Sequence, residues 1–463
     1  MRVCVLVLGD VGRSPRMCFH ALSLAEHGCH VDLVGYHHTE LPAKLQQHTN
    51  IRRVSVPTFP SCLSCCPSFL VYALKFLWMF IAVFFVLAFR TTRQLDAILV
   101  QNPPGVPTLA ACMIVARMRR FKFIIDWHNY SFTVLQAQLE APYLPKLVDK
   151  SKDIRVRLAR RFEWHFGRQA DLCFCVTHAM RGDLERNCGC RAVVLYDRPP
   201  AWKFPELTVE QLHQFVHQLA NKHYFAPFVT RATHSSIQTE VTSLSYRDVA
   251  TGVAHWRHER PVVLVSSTSW TVDEDFRVLL DALVDYDKRL VAQYELGNTD
   301  KSRRLPLLVA VITGKGPEKA MYLSLIADLD LRFVEILTPW LESDDYPKML
   351  SIADIGVCLH TSTSGLDLPM KVVDMFGCRL PTLARDFKCI SELVKAGHNG
   401  DVFNNSQQLT ELLVNLLTGF PNHSKELNAM RRNLAHEPLG TWEDNWAATV
   451  WPSLQRCKNG ASL

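Results

Sequence analysis

The residues best equipped for chemistry sit where short apolar runs end. VLVLGDVGRSPRM, residues 5–17, leads from such a run into a glycine-bearing loop carrying Asp10, Arg13 and Arg16. Gly9 and Gly12 allow a tight turn there and Ser14 adds a hydroxyl. The loop suits a nucleotide cradle, an acceptor site or a tight corner. Further on, PVVLV is followed by Ser266, Ser267, Thr268, Ser269 and Trp270, a dense set of hydroxyl donors. LPLLVAVIT is followed by Gly314, Lys315 and Gly316, where glycines admit close backbone approach and Lys315 balances a diphosphate. The GxxxxGK[ST] spacing of a P-loop is absent. In HTSTSGLDLPMKVVDMFGC, residues 360–378, a loop with Ser364 and Gly365 feeds a helix starting near Pro369, and a helix N-terminus is an anion site. Lys371 falls in its first turn, and Asp374, about one turn on, is placed to accept from a ribose diol. LTPWLESDDYP, residues 337–347, reads as a base pocket around Trp340. Together these loops suit a nucleotide sugar.

The elements that must position them follow from the hydrophobic pattern. Strand candidates RVCVLVLG, CHVDLVGY, DAILVQN, FKFIIDWHN, DLCFCVTHA and AVVLYD mostly alternate with helical stretches, which predicts an α/β, doubly wound parallel sheet over residues 1–197. Three of them end in polar clusters, at Gly9–Arg13, Gln101–Pro104 and Asp126–Asn129, and ligands in such sheets lie beyond the carboxyl ends of strands. Residues 198–258 show no sustained periodicity and read as an interdomain connection with an insertion, partly mobile. The alternation resumes over 259–435 as a second doubly wound domain facing the same cleft. Trp442, Trp446 and Trp451 mark a C-terminal helix within 436–463 that packs back on the first domain.

Composition narrows the classes of function. The chain has 463 residues, room for one or two full cores. Its net charge of +6 is uneven: residues 1–200 hold 25 Lys and Arg against 14 Asp and Glu, which points that half toward something anionic. Aromatics are not interleaved with the basic residues, which argues against nucleic acid. The first loop lacks G-x-G-x-x-G, which argues against a dinucleotide-dependent oxidoreductase. The 15 cysteines lack paired zinc spacing and read as free thiols. Phe76 to Phe89 is uncharged over 14 residues. Because it lies between two strands of one sheet, we expect a helix packed on the domain and dipping into one leaflet through Trp78, Phe80, Phe84 and Phe85. The basic runs 117–122 and 155–161 beside it favour docking on a membrane surface.

GDVGRSPRM, QNPPG, DWHNY, SSTSWTxDEDF, ITGKGP, TPWLExxDYP and SGLDLPMKVVDMFGC occur in that order. The set closely resembles the chitobiosyldiphosphodolichol β-mannosyltransferases over about residues 3–455 outside 200–258. The resemblance implies a GT-B glycosyltransferase fold, GDP-mannose as donor and GlcNAc2-diphosphate-dolichol as acceptor. It also implies a β-1,4 linkage, the first mannosylation of the lipid-linked N-glycan precursor, and work at the cytosolic face of the endoplasmic reticulum membrane. Sibling dolichol-pathway mannosyltransferases would be partners. A catalytically inactive GT-B relative serving as scaffold is the alternative. Two departures stand out. Family members usually begin with a membrane anchor, whereas this chain opens at once on a strand. The Arg and Lys pair and the paired glutamates of retaining GT-B enzymes are also missing, with Ser364 and Asp374 roughly where the glutamates would stand.

A β-mannoside formed from an α-linked nucleotide sugar implies inversion, with one base taking the proton of the acceptor hydroxyl. The candidates are Asp10 first, then His128, then Asp126. Lys315, Lys371 and the helix start near Pro369 would stabilise departing GDP. Gly9, Gly12, Arg13, Ser14 and Arg16 would meet the lipid diphosphate. No metal is obligatory in this reading. Asp273, Glu274 and Asp275 suit Mg²⁺ as a stimulatory ion, or complement a helix dipole.

Overall fold

The computed structural model describes residues 1–60, 68–140, 153–228, 239–248, 250–271, 274–297, 300 and 302–460. The chain divides into two compact units. Unit 1 comprises Met1–Asp197, Ser362–Leu368 and Thr441–Leu463, and unit 2 comprises Arg198–Thr361 and Pro369–Gly440.

Unit 1 is built on seven strands: β1 (Arg2–Asp10), β2 (His30–Tyr36), β3 (Ile51–Ser55), β4 (Ala97–Asn102), β5 (Lys122–Trp127), β6 (Leu172–Cys175) and β7 (Ala192–Val194). Their order is β3-β2-β1-β4-β5-β6-β7 and every pairing is parallel. Val3 to Leu8 are all buried, the continuous apolar run expected of a strand covered on both faces. Strand order reverses between β1 and β4, so a ligand crevice belongs beyond their carboxyl ends. The loops after β1, β4 and β5 therefore share one edge, with Gln101 opposite Asp126 and Asn102 opposite Trp127.

The helix Ser68–Phe85, continued to Arg90 by a wider turn, lies along this sheet. Ala82, Val83, Val86 and Leu87 enter the core, while Phe76, Leu77, Ile81, Phe85 and Phe89 are exposed. Among the described residues, Ala73–Arg90 is the one stretch long and apolar enough to cross a membrane by length and composition. Of the four expected membrane contacts, Trp78, Phe80 and Phe84 are instead packed against the core, and the Trp78 indole donates to Pro57 O at 3.3 Å. Phe85 alone belongs to the outward stripe. A helix shared between core and surface must divide its rings by the 3.6-residue period, which a composition count does not register. Arg119, in the basic run beside it, donates to Leu87 O in the last turn of the apolar helix and to Arg93 O at 2.7 Å just beyond it, so this side chain caps that helix rather than facing outward.

In unit 2, β8 (Thr239–Val241), β9 (Ser245–Asp248) and β10 (Ala254–Trp256) form a small antiparallel sheet. The main sheet uses β11 (Val262–Ser267), β12 (Leu308–Thr313), β13 (Val334–Leu337), β14 (Ile355–Cys358), β15 (Thr382–Arg385) and β16 (Gly400–Phe403), in the parallel order β13-β12-β11-β14-β15-β16. Here the order reverses between β11 and β14, which brings the 266–270 and 359–361 loops to the switch point.

The stretch 198–258, read from sequence as a loose connection, carries folded structure where it is described. Thr208 and Gln211 form a reciprocal capping box at the start of the helix Val209–Ala220. Leu212, Phe215, Val216 and Leu219 of that helix pack with Phe225, Phe228 and Leu244 against Val263, Val265, Val309 and Val311. This stretch therefore covers one face of the second sheet. Phe215→Ala should destabilise unit 2 by about 3–5 kcal/mol in chemical denaturation, the range for emptying a buried aromatic site. A loss under about 1 kcal/mol would restore the reading of a partly mobile interdomain connection.

Candidate active site

The unit 1 site is organised around a buried carboxylate. Asp126, at the end of β5, has no exposed surface. Its Oδ2 accepts from Arg16 Nε at 2.8 Å, His20 Nε2 at 3.2 Å and His128 Nε2 at 2.8 Å, and its Oδ1 from Arg16 Nη2 at 2.9 Å. Burial pushes its pKa up, but the Arg16 charge and then His128 prevail, holding it well below the usual carboxylate range. Asp126 is thus held as an anion with both oxygens already accepting from these donors, which corrects its place among the base candidates.

Arg16 is corrected as well. It lies in the first turn of the helix Pro15–Glu26, is 3% exposed, and also donates to Leu195 O at 2.9 Å and Asp197 Oδ1 at 2.8 Å. Its guanidinium is bound inside the unit instead of meeting a diphosphate. Arg13 behaves differently: its side chain is 81% exposed, and its carboxylate neighbour Asp10 lies 3.9 Å away.

His20 and the C-terminal helix complete the network. The Trp446 indole N–H donates to His20 Nδ1 at 2.9 Å. An indole only donates, so His20 Nδ1 is the bare nitrogen and Nε2 carries the proton given to Asp126. Burial keeps His20 neutral. Trp442 Nε1 donates to Ser23 Oγ at 3.1 Å and Asn445 Nδ2 to Tyr196 O at 2.8 Å, fixing the helix Trp442–Lys458 on unit 1.

His128 is 21% exposed, and its backbone N–H donates to Asn102 O at 2.8 Å. Because Asp126 is ionised and accepts, His128 Nε2 carries the proton it donates. No hydrogen bond to Nδ1 is present among the described residues. Asp10 has the opposite character. Its carboxylate accepts from the backbone of His38 at 3.2 Å, the backbone of Thr39 at 3.1 Å, and the Thr39 hydroxyl. Burial opposes ionisation, but the Thr39 hydroxyl and these backbone donors outweigh it and lower the pKa. Asp10 therefore ties the end of β1 to the loop after β2. Gly12 belongs to the same tie, since a Cβ there would sit 2.7 Å from Thr39 O. Gly9 closes β1, and Ser14 donates to Gln101 Oε1.

Ser364 and Gly365, expected beside the donor, fall in unit 1. Asn129 Nδ2 donates to Thr363 Oγ1 at 3.1 Å and Asp367 Oδ1 at 3.0 Å, and Thr177 Oγ1 donates to Leu366 O. Ser364 Oγ serves its own loop, accepting from Leu366 N at 3.2 Å.

Unit 2 has its own buried carboxylate. Glu274 is 3% exposed and accepts from Lys371, from Thr268 Oγ1 at 2.9 Å and from Ser269 N at 2.6 Å, with His360 Nδ1 at 3.7 Å. Burial raises its pKa, but His360, Lys371 and Ser269 lower it to about 2. Sequence reasoning placed Glu274 in an acidic run and missed this role. Asp273 lies outside the described residues. Among those described, no three His, Cys, Asp or Glu side chains group to hold a metal ion.

The remaining donor candidates separate into scaffold and open groups. Trp270 is fully buried against Phe276 and Tyr322, a core residue rather than a ligand contact. Gly314 has φ +143°, and a Cβ there would lie 1.8 Å from Thr268 O; at Gly316 it would lie 1.7 Å from Ser269 O. Both glycines let the β11 and β12 loops touch. Lys319, not anticipated, clamps this corner through Gly314 O at 3.3 Å and Thr338 O at 2.9 Å. Lys315 Nζ sits 3.8 Å above the Trp340 ring, itself 53% exposed, so a cation and an aromatic face are presented together. Ser267 Oγ lies 3.1 Å from Tyr346 Oη, and the buried Ser266 Oγ has no partner among the described residues. Asp374, in the second turn of the helix Met370–Gly377, is 3.9 Å from Lys203 Nζ.

Two parallel-sheet Rossmann-like units with strand-end loops rich in such groups define the GT-B class of glycosyltransferase. Residues 20–196 match the glycosyl transferase 4-like domain and residues 293–419 match glycosyl transferases group 1. WaaG, a glycosyltransferase involved in lipopolysaccharide biosynthesis, shares the fold at TM-score 0.60 and 14% identity, over 96% of this chain and 98% of WaaG. The chain belongs to the chitobiosyldiphosphodolichol beta-mannosyltransferase family. It is 42% identical to the Pongo abelii protein of that name, over 97% of this chain and 92% of that protein. It is also 39% identical to the Arabidopsis thaliana UDP-glycosyltransferase TURAN, over 98% of this chain and 97% of that protein.

Glu274 generates a pH prediction. Its folded pKa is depressed, so its stabilisation is present above the unfolded value near 4.5 and disappears as pH falls toward 2. Glu274→Gln should therefore cost about 3 kcal/mol at neutral pH, with wild type and variant converging in acid denaturation below about pH 4. A gap independent of pH would overturn the assignment.

Proposed function

We propose that this chain is an inverting mannosyltransferase that moves mannose from GDP-mannose to the 4-hydroxyl of the terminal GlcNAc of GlcNAc2-diphosphate-dolichol, forming a β-1,4 linkage. Family membership supports the substrate class. The observation that carries the reaction is His128, held through Nε2 by an ionised Asp126, with no hydrogen bond to its Nδ1 among the described residues. In this reading the acceptor oxygen attacks the anomeric carbon as the bond from that carbon to the β-phosphate oxygen breaks. The bonding pair leaves with GDP, the acceptor proton passes to His128 Nδ1, and one displacement inverts the centre.

Unit 2 would hold the donor. Lys315 and Trp340 suit the diphosphate and base, Lys371 and the start of the helix Met370–Gly377 suit the charge developing on GDP, and Asp374 suits the ribose diol. Unit 1 would hold the acceptor, with the exposed Arg13 on its diphosphate. Mg²⁺ would at most stimulate. The outward apolar stripe of Phe76, Leu77, Ile81, Phe85 and Phe89 supports attachment to the cytosolic face of the endoplasmic reticulum membrane, where sibling mannosyltransferases would be neighbours.

The test is transfer from GDP-mannose to a short-chain lipid diphosphochitobiose, with UDP-sugars as control donors. His128→Ala should lose about 10²–10⁴-fold in rate, the range for a general base, whereas Asp10→Asn should lose about tenfold or less. Full activity in His128→Ala, with loss in Asp10→Asn, would overturn the base assignment. Transfer from a UDP-sugar alone would overturn the donor, and no transfer by folded protein would favour a scaffold.

A further inference from the structure

A groove of about 560 Å³ lies wholly within unit 1, in the size range of small-molecule sites. Phe76, Pro104, Val106, Leu135, Leu158 and Phe162 line it, an apolar surface with no part in the reaction described above. Its position is informative at both ends. Phe76 belongs to the apolar helix, at the start of the outward stripe that continues through Leu77 and Ile81. Pro103, Pro104, Val106 and Ser131 line the groove too, next in the chain to Asn102 and the start of the helix after β5, and the Asn102 carbonyl receives the His128 backbone N–H.

A buried residue makes these walls one piece. Glu163, in the helix Ile154–Gly167, accepts from Asn102 Nδ2 at 2.8 Å, Ser131 N at 2.9 Å and Phe132 N at 3.2 Å. The helix carrying Leu158 and Phe162 is thereby tied to the loops after β4 and β5 that hold His128. Leu158 also lines a second pocket of Arg157, Arg160, Arg161, His165 and Arg168. One helix thus sets an apolar groove beside a cationic pocket, which complements a hydrocarbon chain drawn from an anionic lipid surface. Arg155, on the groove side, is already paired with Asp153 at 2.7 Å.

We propose that this groove holds the first isoprene units of the acceptor's polyprenyl chain, entering at Phe76 and delivering the diphosphate toward His128. The inference rests on the acceptor class proposed above. The groove then works as a gauge, selecting acceptors by their branched chain and setting the distance from membrane to base. Its occupant is the acceptor lipid, not a bilayer acyl chain.

The test uses the full chain on phosphatidylcholine–phosphatidylserine vesicles with a diazirine-bearing polyprenyl diphosphate that carries no sugar. Photolabelling should fall on residues 131–138 and 154–162 and be competed by unlabelled polyprenyl phosphate. Leu158→Glu and Leu135→Trp, with unchanged thermal midpoints, should cut labelling about tenfold, the size of a lost apolar contact in a pocket. In the transfer assay they should erase the preference for a branched over a straight-chain acceptor. Labelling unchanged by both variants, or competed equally by straight-chain phospholipid, would overturn the proposal. Because the probe needs no mannose, labelling persists if the proposed transfer reaction is wrong, so the two failures are distinguishable.

Discussion

The unit 1 site depends on one constraint, a fully buried carboxylate that must stay ionised. An isolated buried anion is strongly disfavoured, so Asp126 exists only because Arg16 pairs with it bidentately and two histidines donate to it. The network draws on several separate parts of the chain. Arg16 and His20 come from the first helix, His128 from the loop after β5, and Asp197 from the end of the segment after β7. The Trp446 indole, from near the C-terminus, sets the tautomer of His20. The loop carrying His128 is consequently anchored by residues more than 300 positions apart in sequence.

Unit 2 repeats the device with different chemistry. Glu274 collects Lys371, His360, Thr268 and Ser269, which fixes the loops on both sides of the β11–β14 switch point. Gly314 and Gly316 let the β12 loop lie directly on the β11 loop, where any side chain would collide with a carbonyl. In both units, then, residues that read as ligand contacts are partly spent on holding loops rigid. Arg13, His128, Lys315 and Trp340 keep exposed surface, and these are the groups the proposed reading assigns to ligands. Preorganisation of this kind is what aligned displacement requires.

Much of this was legible in the sequence. Strand-length apolar runs separated by helical stretches identified both parallel sheets, and the polar clusters fall at the ends of their strands as expected. Division of labour within a cluster was not legible. Asp10 and Asp126 look equivalent after their strands, yet one is bound by backbone amides and the other by a guanidinium contributed from another element. Arg13 and Arg16 differ by three residues, but one precedes the helix and the other faces inward from its first turn. Trp270 looks like a ring for stacking and is core, because its φ of +48° turns it under the loop. The helix Val209–Ala220 was overlooked because it sits amid polar, turn-rich sequence, although Thr208 and Gln211 spelled its cap.

The central claim is that Asp126 holds His128 with the ring proton on Nε2. Heteronuclear NMR of the histidine ring nitrogens, in protein labelled at histidine and held in alkaline buffer, reads this directly. The account predicts an Nε2–H signal for His128 that shifts on Trp446→Phe, since that substitution frees the His20 tautomer. An Nδ1–H tautomer at His128 in the intact protein would contradict it.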